Sequence, residues 1–156
     1  MVLSDVDGVL TDAGMYYSET GDELKRFSTR DGAGFAFLRE AGLLTGLVTR
    51  ETTRLVERRA AKLKLDVLVQ GAADKLAAIE TIAAAHRLGL DEIAYLGDDV
   101  YDIAALRAVG LAAAPADAVE AVKAAVHHVC LAAGGRGALR EVADLILGAR
   151  GDRPVG

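Results

Sequence analysis

The chain has a single cysteine, Cys130, in 156 residues, so it cannot form an intramolecular disulfide. In the apolar setting HHVCLAAG that thiol reads as a small core residue. No apolar run reaches the length that spans a bilayer, and no basic leader precedes a signal-type segment. No membrane partner is therefore expected, and the cytoplasm is the default location. Positive charge is scarce too: 18 Lys and Arg stand against 23 Asp and Glu, a net charge of −5. That argues against a nucleic-acid partner, which usually needs a basic stripe. The one basic run, ERRAAKLK, is local and falls on an expected helix. Repeats, linkers and low-complexity stretches are also missing. What remains is 52% hydrophobic and 26% charged, a globular composition long enough for one domain with a real core.

Apolar runs alternate with helical patterns, which predicts an α/β fold: a Rossmann-like parallel sheet with helices on both faces. Strands are expected at VLS near the start, at 43–49, 66–70 and 92–97, after Gly110, and over HHVCLA. Helices are expected over 31–41, opening after Asp31, over 52–64, over 74–87 with Asp74 as N-cap, over 117–125 and over 138–147. One stretch breaks the alternation. GMYYSETGDELKRFS, at 14–28, reads as a β-hairpin around Thr20-Gly21-Asp22 that projects beside whatever follows the first strand. A single domain over 1–150 is expected, with a flexible tail over 151–156. Only Met1 to Ser4 precede Asp5, short for a central strand, and a trimmed or misassigned start is one reading of that.

The opening MVLSDVDGVLTD crowds Asp5, Asp7 and Asp12 at the end of its first apolar stretch. Like charges this close repel, and some take up protons unless a cation sits among them. Two readings compete: a solvated Asp/Gly turn, or a metal-assisted site. The other strand ends weigh on the choice, because ligands of open parallel sheets bind outside the carboxyl ends of the strands. Thr49 and Arg50 follow the second strand, a short loop after the third reaches Lys75, and GDDVYD brings Asp98, Asp99 and Asp102 after the fourth. Carboxylates, a hydroxyl and an ammonium on one rim suit phosphoryl transfer. Asp5 and Asp98 could hold Mg2+. A carboxylate could serve as nucleophile. Thr49 and Lys75 could bind phosphoryl oxygens, and Asp7 could exchange the proton of the leaving group.

DVDGVLTD, a strand ending in Thr49, then Lys75, then GDDVYD resemble, in order, the four motifs of the haloacid dehalogenase-like phosphatases. The resemblance implies Asp5 as nucleophile, Asp7 as acid/base, and Thr49 and Lys75 as phosphate binders. It implies Mg2+ held by Asp5, Asp98 and the main-chain carbonyl of Asp7, with Asp99 and Asp102 orienting Lys75 or the metal's waters. Asp12 is expected to fix the loop leading into the hairpin. Between Asp12 and Thr49, and between Lys75 and Asp98, there is no room for the cap domain that covers most such sites.

The match extends nearly end to end to capless members, the phosphatases of 3-deoxy-octulosonate (KDO) 8-phosphate and of nine-carbon sialic acid-type 9-phosphates. It includes YYSETGDELKRFSTRDG, RRAAKLKLDVLVQGAADK, AYLGDDVYD and GGRGALREV. By that resemblance the chain is a homotetramer acting on a sugar phosphate. Tyr16, Tyr17 and Phe27 help build the assembly, and Gly134, Gly135 and Arg136 cover an adjoining site. KDO 8-phosphate phosphatases usually read Thr-Gly-Arg where this chain reads Thr49-Arg50-Glu51. Glu51, with Lys62 eleven residues on, is more similar to the 2-keto-3-deoxynononate (KDN) 9-phosphate phosphatase pattern. On one helix those two would share a face about 16 Å apart along the axis, with Lys62 or Arg59 meeting a sugar carboxylate. KDN 9-phosphate is thus the first expectation, with KDO 8-phosphate or N-acetylneuraminate 9-phosphate as alternatives. A non-catalytic oligomerisation domain, as some CMP-sialate synthetases carry, is a further one. Arg50 departs from the usual Gly. His127 and His128, adjacent and so facing apart on a strand, do not read as a metal pair.

Overall fold

The computed structural model describes residues 1–21 and 23–152. Asp22 of the expected turn and the tail at 153–156 lie outside the described residues. Six strands form one parallel sheet: β1 (Val2–Ser4), β4 (Thr45–Val48), β5 (Val67–Val69), β6 (Ala94–Leu96), β7 (Leu111–Ala114) and β8 (His128–Val129). The two remaining strands, β2 (Tyr16–Tyr17) and β3 (Glu23–Leu24), pair antiparallel as the hairpin, with Tyr16 opposite Leu24. The helices are α1 (Thr29–Glu40), α2 (Arg54–Leu63), α3 (Lys75–His86), α4 (Ile103–Ala108), α5 (Glu120–Lys123) and α6 (Ala138–Arg150).

Neighbouring residues of a strand face opposite sides of the sheet. Val2, Leu47, Leu96 and Ala113 accordingly pack on one face with Phe35, Leu38, Val56 and Leu139 of α1, α2 and α6. Leu3, Val48, Tyr95 and Ala112 pack on the other with Ile79, Leu106 and Val122 of α3, α4 and α5. Each fully buried Leu or Phe contributes about 1.5–3 kcal/mol, so the two clusters hold the sheet from both sides.

The strand order is β5-β4-β1-β6-β7-β8. The chain steps outward from β1 to β4 and β5, then returns to set β6 on the other side of β1. That reversal opens a crevice at the carboxyl ends of β1, β4 and β6. Among the described residues, the segments flanking it hold only the hairpin, α1 and β4, or α3, a 3-10 turn at Leu90–Glu92 and β6, with no inserted cap domain.

Several boundaries differ from the sequence expectation for physical reasons. The first helix starts at Thr29, because the Ser28 hydroxyl accepts the Arg30 amide at 3.1 Å as an N-cap. Asp31 therefore sits in the first turn, fully buried, and its carboxylate accepts the Arg140 amide at the start of α6 at 3.1 Å. The short helix α4 was not expected, since six residues of IAALRA are too few to show a periodic stripe. The last helix runs on through Gly148 to Arg150, three residues past the expected end at 147, and Gly151 at φ 76 forms its left-handed C-cap.

Candidate active site

Past the end of β1, the Asp5 amide still donates to Leu96 O at 2.9 Å, so Asp5 leaves the sheet in register with β6. The chain then turns tightly: the amides of Val9, Leu10 and Thr11 all donate to Val6 O. Gly8 makes the turn possible. Its φ is +85, and a Cβ there would fall 1.9 Å from Asp98 Oδ2. The buried Thr11 hydroxyl accepts the Gly8 amide at 3.3 Å and donates to Asp7 Oδ1 at 3.4 Å. Asp12 accepts the Gly14 amide at 3.2 Å, which fixes the entry to the hairpin as its position suggested.

Lys75 opens α3, capped by Asp74, and buries its ammonium between Asp5 Oδ2 at 2.7 Å and Asp102 Oδ1 at 2.6 Å. Asp102 is fully buried. It also accepts the Tyr95 hydroxyl at 2.6 Å and the amides of Asp98 and Asp99 at 3.1 and 3.2 Å. One carboxylate thus orients Lys75 and the loop carrying Asp98. Gly97 permits this, since a Cβ there would lie 2.5 Å from the Asp102 Cβ. Thr49, buried after β4, completes the floor. Asp5, Asp7, Thr49, Lys75, Asp98, Asp99 and Asp102 all line one cleft of about 290 Å³, together with Arg50, Glu51 and Tyr101.

The charges in this floor do not balance. Carboxylate oxygens of Asp5, Asp98 and Asp102 lie within 4.8 Å of one another, against the single ammonium of Lys75. Burial, then the charge of Asp102, pushes the Asp5 carboxyl up from its ordinary range, although Lys75 opposes this. Burial, then the charges of Asp5 and Asp102, pushes Asp98 up to about 8. Lys75 responds in the opposite sense. Burial favours its neutral form, but Asp5 and Asp102 outweigh it and hold the ammonium above its ordinary value. The oxygens of Asp102 are already committed, whereas the buried Asp98 Oδ1 has no hydrogen-bond partner among the described residues. Hard oxygen donors carrying two uncompensated negative charges fit a divalent cation between Asp5 and Asp98.

Three side chains of the site carried no readable signal. The side chain of Lys25, from the hairpin, is completely covered; its ammonium contacts both oxygens of Asp7 at 2.8 Å and pairs with Glu51. Burial would lower its pKa, but the bonds to Asp7 and Glu51 raise it overall. A lysine in a hairpin shows its role only once the hairpin has folded back over the cleft. Tyr95 reads as core, and only its hydroxyl reaches Asp102. Tyr101 stands at the mouth with the Arg50 guanidinium 3.7 Å above its ring centre.

Arg59, Lys62, Gly135 and Arg136 do not line this cleft. The shared helical face of Glu51 and Lys62 does not exist. Thr53 caps α2, which begins at Arg54, so Glu51 precedes the helix and Lys62 is exposed outside the cleft. Arg59 donates to Ser28 O at 2.7 Å and lies 5.2 Å from the Phe27 ring centre, bracing α1. Gly135 donates to Val9 O at 2.9 Å, and with Arg136 it lines a separate pocket beside Arg26 and Ser28. Cys130 is buried, and burial pushes its thiol up to about 12. His127 turns inward to accept the Ala112 amide at 2.9 Å, while His128 meets Glu141 at 3.2 Å.

The haloacid dehalogenase-like hydrolase family profile matches residues 48–139. A 3-deoxy-D-manno-octulosonate 8-phosphate phosphatase of Yersinia pestis is 40% identical over 94% of this chain and 79% of its own length. The enzyme of that name from Moraxella catarrhalis, solved with magnesium, phosphate and KDO, superposes with a TM-score of 0.93. It is 34% identical over 95% of this chain and 85% of its own. The cobalt-bound deoxy-D-mannose-octulosonate 8-phosphate phosphatase of Haemophilus influenzae gives 0.92, with 37% identity over 96% of this chain and 88% of its own. No helix among the described residues is long and apolar enough to cross a membrane.

Proposed function

Because the chain belongs to the haloacid dehalogenase-like hydrolase family, we propose that it hydrolyses the phosphate monoester of a 2-keto-3-deoxy sugar acid through an aspartyl phosphate on Asp5. At the coarser level it is a phosphoric monoester hydrolase of the sugar-acid phosphatase kind. The observation that carries the finer reading is the Asp5–Lys75–Asp102 chain beside the unpartnered Asp98 oxygen, at the switch point of the sheet.

In this mechanism the Asp5 carboxylate attacks phosphorus, and the bond from phosphorus to the sugar oxygen breaks. Asp7 gives its proton to that leaving oxygen. Asp7 then takes a proton from water, which attacks the phosphorus of the aspartyl phosphate; the bond to Asp5 breaks, and inorganic phosphate leaves. Lys75 has a third N–H beyond those facing Asp5 and Asp102, and with Thr49 it binds phosphoryl oxygens. Lys25 holds Asp7 in place from the hairpin side. A divalent cation, which we take as Mg2+, would be held by Asp5, Asp98 and the main-chain carbonyl of Asp7 and would offset charge on the phosphoryl oxygens.

KDO 8-phosphate is the first substrate candidate. The names of the relatives support it, and the Glu51–Lys62 face that favoured KDN 9-phosphate is missing. KDN 9-phosphate stays as a second reading because Glu51 does line the cleft. The capless site is open to water, and Tyr16, Tyr17 and Leu24 of the hairpin stand exposed, which supports assembly into a homotetramer through the hairpins. The test is phosphate release from KDO 8-phosphate, KDN 9-phosphate and N-acetylneuraminate 9-phosphate, with and without Mg2+. Mg2+-dependent preference for the eight-carbon acid is expected. Preference for a nine-carbon acid would overturn the substrate assignment, and turnover of none of them would overturn the activity.

A further inference from the structure

The rim of the cleft is acidic: Asp7, Glu51 and Asp99 line it above a floor that holds Asp5, Asp98 and Asp102. A sugar-acid phosphate carries two anionic groups, and both must be drawn into these surroundings. The cations there are unequally available. Lys75 is committed to Asp5 and Asp102, and Lys25 to Asp7 and Glu51. Arg50 is different: among the described residues, its guanidinium has no carboxylate within the 4.0 Å of an ion pair. It is not loose, however, because its guanidinium carbon sits over the Tyr101 ring, 3.7 Å from the ring centre.

Stacking engages the face of a guanidinium and leaves its edge, with the forked N–H donors, free to bind a planar carboxylate. Tyr101 therefore restrains the side chain without consuming its donors, and this lowers the entropy lost when an anion binds. Position decides which anion. The phosphoryl locus is the buried floor at Asp5, Thr49 and Lys75, whose exposures are 7%, 2% and 4%, whereas Tyr101 is 57% exposed at the mouth. The pair thus stands at the mouth, the side toward which the alcohol part of an ester bound by its phosphoryl group at that floor would project.

We propose that Arg50, braced on Tyr101, is a specificity residue that binds the carboxylate of the sugar acid at the mouth of the cleft. This rests on the sugar-acid reading above and adds the residue that selects an acid over a neutral sugar phosphate. A contact to a remote group that is equal in ground and transition state appears in KM and leaves kcat alone.

The test compares wild type, Arg50→Met, Arg50→Lys and Tyr101→Leu with Mg2+ on two esters: KDO 8-phosphate, and p-nitrophenyl phosphate, which has no carboxylate. Arg50→Met should raise KM for the sugar acid ester about tenfold or more, the worth of one charge-assisted hydrogen bond. Its kcat should hold, and KM for the nitrophenyl ester should stay within about twofold. Arg50→Lys should lie between, and Tyr101→Leu should shift KM the same way by less. Equal changes on both esters would overturn the proposal by placing Arg50 on the phosphoryl group; so would no change on either. Calorimetric binding of free KDO provides a readout without turnover. Affinity lost in Arg50→Met supports the proposal even if neither ester is hydrolysed, in which case the phosphatase reading alone fails. Unchanged affinity overturns it.

Discussion

Asp5 and Asp98 face each other with more negative charge than Lys75 offsets, and this sets how the metal-free protein responds to pH. Both carboxyls are raised above their ordinary range, Asp98 to about 8. A carboxyl raised in the folded state favours folding while it is protonated there, so that stability is fully present below the ordinary carboxylate range. It is then lost as pH rises through the folded-state value. Without metal, the melting temperature should therefore fall progressively from about pH 4 to pH 8, and added Mg2+ should recover far more at pH 8 than at pH 5. Thermal unfolding with and without Mg2+ at the two pH values checks this. A cation effect that is equal at both would show that Asp5 and Asp98 are not the groups it neutralises. Asp102 acts at the same scale by committing its oxygens to Lys75, Tyr95 and two amides, which leaves Asp98 as the free ligand.

Among the elements, α1 and α6 share an apolar face and are also tied by one buried carboxylate. Gly137 offers α6 no side-chain cap, and Asp31 from α1 supplies the acceptor instead. Asp31→Ala should cost about 1–2 kcal/mol of stability, the worth of an N-cap. Asp31→Asn should cost less, because it keeps an acceptor and removes a charge whose burial raises the Asp31 pKa. Chemical denaturation of the two variants checks the order; equal losses would mean that volume matters there and capping does not. The strands and the residues at their ends were legible because apolar runs stop where Asp5, Thr49 and Asp98 begin. Lys25 was not legible, since its partners are set by how the hairpin folds back and not by local pattern. The Glu51–Lys62 pairing misled because eleven residues look like three helical turns only if the helix includes both, and the Thr53 cap starts it too late. Tyr95 was hidden because a core ring and a site hydroxyl are the same residue.

Across the molecule, the open crevice and the hairpin aromatics raise the same problem, since among the described residues no further element covers either. Tyr16, Tyr17 and Leu24 are 51%, 68% and 64% exposed, an apolar patch that the proposed assembly through the hairpins would cover. Light scattering should return about four times the 16.3 kDa of one chain. Replacing Tyr17 and Leu24 together by Ser should lower that mass while leaving the circular dichroism of the sheet and helices intact. A wild-type mass equal to one chain would contradict assembly through the hairpin.

The most direct test is a rapid-quench single turnover with labelled sugar acid phosphate, followed by peptide mapping. A phosphoryl group labile to hydroxylamine should appear on the peptide that contains Asp5, only with Mg2+ present, and should be absent in Asp5→Asn. A full turnover of released phosphate with no label passing through Asp5, or undiminished turnover by Asp5→Asn, would contradict the mechanism.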